Sequence, residues 1–362
     1  MTSLDAQAQA PSGAWTAQER RGLFGIIGAI VLLHVAGIGL YLAYADRFPG
    51  SGILASAGAI AYVLGVRHAF DADHIAAIDD TTRLMLLRGK RPMGVGFFFA
   101  MGHSSVVLLL AVIVSLAAGT IAESEVDGVK EITGTISMVV AISFLLLVAV
   151  LNAGVLRSLG GLWRKMRRGQ MAEAEVERVL MNRGVFNRLL GGRLRVLIRS
   201  SWHMYPVGFL MGLGLETASE VTLLGLTATT ATGGQLPFVA VLSLPLIFAA
   251  GMSTFDTLDS LLMTRAYSWS YRNPVRTLFY NTVTTAITVL IAAFVVIVYV
   301  SQLLAEKAGL TWLAAIGDIS EQFEVMGYGI AATFLLAWGG AVLWWKARGY
   351  EDRHPAIPAG EE

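Results

Sequence analysis

The chain has 362 residues, of which 55% are hydrophobic and only 15% charged, with a mean hydropathy of +0.62 and a formal net charge of +1. That charge content lies well below the roughly 25% typical of a soluble domain, so the expected class is an integral membrane protein. The absence of cysteine excludes disulfides and thiolate metal sites, leaving imidazole, carboxylate, carbonyl, thioether and water as ligands for any metal ion.

Residues 1–21 are polar and are expected to form a disordered cytoplasmic segment. Arg20 and Arg21 ahead of an apolar run resemble a twin-arginine signal, but the run 22–45 is too long for a signal core and reads as a first spanning helix. It carries His34, which can serve either a carbonyl hydrogen bond or a metal. The second run, 52–81, encloses Arg67-His68-Ala69-Phe70-Asp71-Ala72-Asp73-His74-Ile75, with five ionisable side chains in nine residues. Ionisable groups in hydrocarbon are costly and mark pathways, relays or binding sites. Two imidazoles beside two carboxylates point to a divalent metal ion. On a continuous helix, His68, Asp71 and His74 share an arc of about 120°, whereas Asp73 points almost the other way, toward Arg67 or a neighbouring helix. Asp79 returns to the His68 face nearer the cytoplasm, either lining an exit path or standing as an end-of-helix acid near Arg83.

The third run, 93–118, contains Met101-Gly102-His103-Ser104-Ser105, and a fourth spans 133–159. The loop 160–203 follows, with ten lysines and arginines against Glu173, Glu175 and Glu177. His203, with Trp202 and Tyr205, reads as an interfacial anchor at the mouth of the fifth run, 204–230. That run carries Glu216 and Glu220 four apart, and the sixth, 236–264, carries Asp256 and Asp259 three apart. Each pair therefore shares one helix face, and two acids on one face call for a cation between them. The seventh and eighth runs are 275–303 and 326–347. The spans' hydroxyls read as interhelical hydrogen-bonding groups, and Gly208, Gly212, Gly214 and Gly251 as close-packing positions.

Each run exceeds the approximately 20 residues that a spanning helix needs. The basic loop 160–203 is cytoplasmic by the positive-inside rule, and Arg20, Arg21, the stretch Arg83 to Arg91, the stretch Arg265 to Arg276 and the tail 348–362 fall on its side. The opposite loops carry acids, including Glu123, Glu125, Asp318, Glu321 and Glu324. The expected fold is thus an all-α integral membrane protein: a bundle of eight transmembrane helices over 22–347, both termini cytoplasmic, multi-pass in the cytoplasmic membrane. At about 1.5 Å per residue from the nearest cytoplasmic arginine, His74, His103, Glu216 and Asp256 lie roughly 14–26 Å deep, so they can meet at a common level.

A phosphate-binding loop and an HExxH motif are both missing, so neither ATP hydrolysis by this chain nor intramembrane zinc proteolysis is expected, and the protein reads as no enzyme. The membrane potential is a sufficient energy source: a dication moving inward across 100 mV gains about 4.6 kcal/mol.

Four signatures in order, RHAFDADHI, FFFAMGHSSVV, SWHMYPVGFLMGLGLETASEV and GMSTFDTLDSLLM, make the chain resemble the nickel/cobalt transporter family of secondary metal permeases. The resemblance implies high-affinity, low-capacity uptake of Ni²⁺ or Co²⁺, with His68, Asp73 and His74 as the core of the signature. Glu216 stands where that family more often has aspartate, and Ser105 and Ser219 replace common threonines. His34 together with Phe70 is similar to members that accept cobalt as well as nickel. The expected metal residues are His68, Asp71, Asp73, His74, His103, Glu216, Glu220, Asp256 and Asp259, with His34 and Phe70 as candidates for selectivity. The partners expected are the ion, as cargo rather than resident cofactor, and the lipid bilayer, with no nucleic acid. A Mn²⁺ or Zn²⁺ permease, and a metal-capture subunit of a multi-component importer, are the alternatives.

Overall fold

The computed structural model describes residues 16–45, 52–87, 90–117, 123–168, 199–213, 219–220, 222–224, 226–227, 237–270 and 274–347. Among them every regular element is helical: α1 (Ala17–Ala45), α2 (Gly52–His68), α3 (Ala72–Leu87), α4 (Val95–Ala117), α5 (Glu123–Arg167), α6 (Met204–Met211), α7 (Ser243–Ser270), α8 (Pro274–Ala308) and α9 (Phe323–Ala347), with short helical turns between some of them. Among the described residues, five stretches are long and apolar enough to cross a membrane: Ala17–Tyr44, Val95–Ile113, Met138–Leu162, Val239–Ala266 and Thr282–Ala308. The protein is therefore a helical, multi-pass membrane protein.

Several boundaries differ from the sequence expectation: α5 runs from Glu123 to Arg167 rather than over 133–159, so Glu123, Glu125 and residues 160–167 are helical rather than loop, and the helix that opens the fifth run ends at Met211. Helix α1 begins at Ala17, so residues 17–21 are helical rather than disordered. Thr16 and Glu19 explain the early start, because each side chain accepts the other's backbone N–H, at 3.1 and 2.8 Å. This reciprocal cap satisfies two of the amides that a helix start leaves unpaired. The largest difference lies in 52–81, expected as one helix. The chain stops at His68, turns through Ala69-Phe70-Asp71 and restarts at Ala72. Tight bonds from the Phe70 N–H to the Arg67 carbonyl (3.1 Å) and from the Asp71 N–H to the His68 carbonyl (2.9 Å) close the first segment. Neither glycine nor proline lies between Arg67 and Ile75, so the break comes from tertiary packing. Gly327 of α9 presses its backbone against the Phe70 carbonyl, an approach that any side chain would block.

Helix α7 is central, packed against α1, α2, α3 and α4, while α8 lies on α5 and α3. One apolar core joins Tyr41, Leu64, Leu244, Phe248 and Met252 around α2 and α7. A second joins Phe99, Leu145, Met204, Val295 and Phe323. Gly102 of α4 and Gly208 of α6 sit against the backbones of Tyr205 and Phe99 respectively, so these two helices meet glycine to backbone in both directions. Outward faces are apolar, with Phe24, Leu32 and Val35 on α1, Leu290 on α8 and Leu336 on α9 all exposed, as suits a surface in contact with lipid. Beyond α8, Gly309 adopts a left-handed φ of 70° and turns the chain back toward α9.

Gly327 and Gly329 lie two residues apart on α9, and a Cβ at Gly329 meets nothing within 4 Å. Gly327→Ala should therefore destabilise the purified protein in detergent by about 1–3 kcal/mol through overpacking. Gly329→Ala should leave the thermal midpoint unchanged. Equal midpoints for the two variants would contradict the close approach.

Candidate metal centre

The helix break delivers His68 at the end of α2, Asp71 in the turn, and Asp73 with His74 in the first turn of α3. Helix α4 adds His103, α7 adds Asp256, and the helical pair Ser219–Glu220 adds its carboxylate. His68, Asp71, His74, His103, Glu220 and Asp256 are each no more than 3% exposed.

Three imidazoles form the middle of the cluster, with ring centroids 4.6 Å apart for His68 and His74 and 4.8 Å for each of the other two pairs. Donor atoms of all three lie within 4.8 Å of one another. Nε2 of His68 and Nε2 of His103 approach to 3.0 Å, and the latter also meets Glu220 Oε1 at 2.7 Å. His74 Nδ1 donates to Asp256 Oδ2 at 3.3 Å, which turns its Nε2 into the cluster without a hydrogen-bond partner. Nδ1 of His103 and Oδ1 of Asp256 are likewise buried and unpartnered. Such groups cost on the order of 1–3 kcal/mol each when left unmet, and a cation meets them. Phe99 sets its ring edge-on to His74 at 4.7 Å, and Phe248 lies 5.7 Å from His68, so the two apolar cores fix the rings from opposite sides.

Asp73, expected among the metal residues, instead accepts a hydrogen bond from the Tyr299 hydroxyl of α8 at 2.9 Å. Arg67, the other partner considered for it, instead pairs through Nε with Glu324 Oε2 at 2.7 Å. Asp71 Oδ2 is 4.0 Å from His68 Nδ1. Asp259 sits one turn beyond Asp256, with its Oδ2 buried and unpartnered and the Asp79 charge facing it. Glu216 lies outside the described residues. His34 stands apart from the cluster: its Nδ1 donates to the Ile30 carbonyl at 2.9 Å, and its Nε2 accepts from the Tyr62 hydroxyl at 3.4 Å. Phe70 packs between Tyr328 and Phe255 at the helix break. His203 stacks on the exposed Trp202, with ring centroids at 4.2 Å, matching the reading of an anchor at the helix mouth.

Two residues contradict their sequence assignment to water-facing loops. Glu324 is 2% exposed, lies 3.8 Å from His68 Nδ1, and accepts from the Ser219 backbone N–H at 3.3 Å. Its position two residues before an apolar run was its only signal. Arg83, also 2% exposed, donates to Thr285 and to Thr288 of α8, the latter at 3.2 Å. Beside it, Asp80 accepts from Asn152 Nδ2 of α5 at 2.7 Å. This polar knot ties α3 to α5 and α8. Asp80 went unnoticed beside Asp79 although it is a charge inside an apolar run, and Arg83 was indistinguishable from a cytoplasmic flank.

A multi-pass helical membrane protein with imidazoles and carboxylates buried where its helices meet is the class defined by these features. Residues 54–344 match the family described as high-affinity nickel-transport protein, NicO, and the chain belongs to that family. It is 61% identical over 343 residues to the cobalt transport protein NhlF of Rhodococcus rhodochrous, covering 95% of this chain and 97% of that one. It is 44% identical over 331 residues to the nickel transporter NixA of Staphylococcus aureus, covering 91% and 95%. It is 40% identical over 354 residues to the nickel transporter NicT of Mycobacterium tuberculosis, covering 95% and 94%. No solved structure matches the fold.

Tyr299→Phe removes the donor that satisfies Asp73 while keeping the ring that packs on Phe323. The variant should unfold in detergent with a stability loss of about 1–3 kcal/mol. An unchanged melting curve would show that Asp73 finds its partner elsewhere.

Proposed function

We propose that this protein carries Ni²⁺ or Co²⁺ inward across the cytoplasmic membrane without ATP, and that the ion passes through the cluster of His68, His74 and His103. The observation that carries this reading is the meeting of three imidazoles from three helices, with Glu220 and Asp256 bonded to two of them, in a buried site. Asp71, Glu220 and Asp256 offset the ion's charge, Asp259 continues the acidic lining on α7, and Asp73 holds the start of α3 against α8. Phe70 walls the break, and His34 acts at a distance, through the α1–α2 contact. The ion is cargo, and the protein needs no resident cofactor.

Eight crossings accommodate the cargo, with α2 and α3 forming one crossing in two halves. Backbone irregularity at membrane depth is tolerated where it lines a protein-enclosed site, and broken helices build the sites of many secondary transporters. Both termini are cytoplasmic, in keeping with the basic loop 160–203. The inside-negative potential supplies about 4.6 kcal/mol per dication per 100 mV, enough for roughly a 2,000-fold gradient.

The test is metal flux into liposomes that contain the purified full-length chain, under an imposed inside-negative potential. Ni²⁺ or Co²⁺ should enter at a rate that falls to the protein-free background in the His74→Ala and His103→Ala variants. Binding of the ion without flux, or uptake blocked more strongly by Mn²⁺ or Zn²⁺ than by Ni²⁺ and Co²⁺, would contradict the reading.

A further inference from the structure

His68 turns its two ring nitrogens to two different sets of donors. Nε2 faces His103 at 3.0 Å and Glu220 at 3.9 Å, whereas Nδ1 faces Asp71 at 4.0 Å and Glu324 at 3.8 Å. The donor atoms of His68, Asp71 and Glu324 lie within 4.8 Å of one another, as close a grouping as the three histidines make. Two donors on opposite sides of one ion stand about 4.2 Å apart, so small side-chain shifts close this second set on a cation. The other oxygen of Glu324 holds Arg67, whose side chain is 39% exposed while that of Glu324 is 3% exposed. The guanidinium has room to swing away; the carboxylate is enclosed.

We propose that Asp71, Glu324 and Nδ1 of His68 form a first stop for the transported dication, ahead of the three-histidine site, and that Arg67 is a tethered cation that the incoming ion displaces from Glu324. This rests on the transport reading given above. On that topology α9 begins on the extracytoplasmic side, so Glu324 meets the ion before His74 and His103 do. A neutral imidazole offers its lone pair on one ring nitrogen at a time, so His68 serves one set or the other. The two stops are then not filled together, and a single ion is handed across one ring.

A plain structural latch between α2 and α9 uses the same ion pair, and the two accounts separate on Arg67. The experiment measures initial Ni²⁺ uptake against concentration in liposomes under an imposed potential, for the wild type, Glu324→Gln, Arg67→Gln and the double variant. Equilibrium Ni²⁺ binding to the same purified proteins is measured alongside. Glu324→Gln should raise KM about tenfold or more, the usual scale for loss of a group supporting a metal. Arg67→Gln should lower KM about two- to fivefold, the scale of a partly exposed ion pair. The double variant should follow Glu324→Gln. Parallel losses in both single variants, or a wild-type KM in Glu324→Gln, would overturn the proposal in favour of a latch. If the wild type moves neither Ni²⁺ nor Co²⁺, the transport reading itself fails. Binding then decides alone: weaker in Glu324→Gln and tighter in Arg67→Gln supports the Glu324 site, and any other order removes it.

Discussion

The interruption of the chain between His68 and Ala72 is the constraint on which the rest of the site depends. A continuous helix would space His68, Asp71 and His74 along its axis at about 1.5 Å per residue, a rise of roughly 9 Å between the two histidines. Ending α2 at His68 and restarting at Ala72 brings those rings to 4.6 Å between centroids and lets His103 complete the triangle. The break is held from outside, by α9, where Gly327 admits the Phe70 carbonyl and Glu324 reaches Arg67 and the neighbourhood of His68. The last helix among the described residues thereby shapes a turn more than two hundred residues earlier, and it also contributes a carboxylate there.

Charge balance is the second organising force. Asp71, Glu220, Asp256 and Glu324 surround the imidazoles, and Arg67 is the guanidinium that pairs with one of them. Burying carboxylates in excess of cations is expensive unless something positive completes the set. Nε2 of His74, Nδ1 of His103 and Oδ1 of Asp256 are buried without a hydrogen-bond partner. On the proposed reading a dication meets such atoms, and with no thiolate in the chain its donors are imidazole and carboxylate. Arg83 with Thr285 and Thr288, and Asp80 with Asn152, form a separate buried polar group that holds α3 against α5 and α8.

Much of this was legible in the sequence, for one physical reason. Ionisable residues in apolar runs stand out because hydrocarbon penalises them, and His68, His74, His103, Glu220 and Asp256 were all found that way and meet in the structure. Asp73, expected both to serve the metal and to pair with Arg67 or a neighbouring helix, meets the Tyr299 hydroxyl of α8. The helix break left no local mark, since its stretch contains neither glycine nor proline and the stabilising contact comes from Gly327. Glu324 and Arg83 were misassigned because a charge at the edge of an apolar run looks the same whether it faces water or folds inward. Pattern reveals which side chains are out of place in lipid; it does not reveal which distant helix receives them.

The central claim is that imidazoles from three helices hold the transported ion, and X-ray absorption at the nickel edge of the Ni²⁺-loaded protein tests it most directly. A first shell of nitrogen and oxygen at about 2.1 Å, with outer-shell scattering from about two or three imidazole rings that is lost in a His68→Ala, His103→Ala double variant, is the result the account predicts. A shell of oxygen alone, with no imidazole scattering, would contradict it.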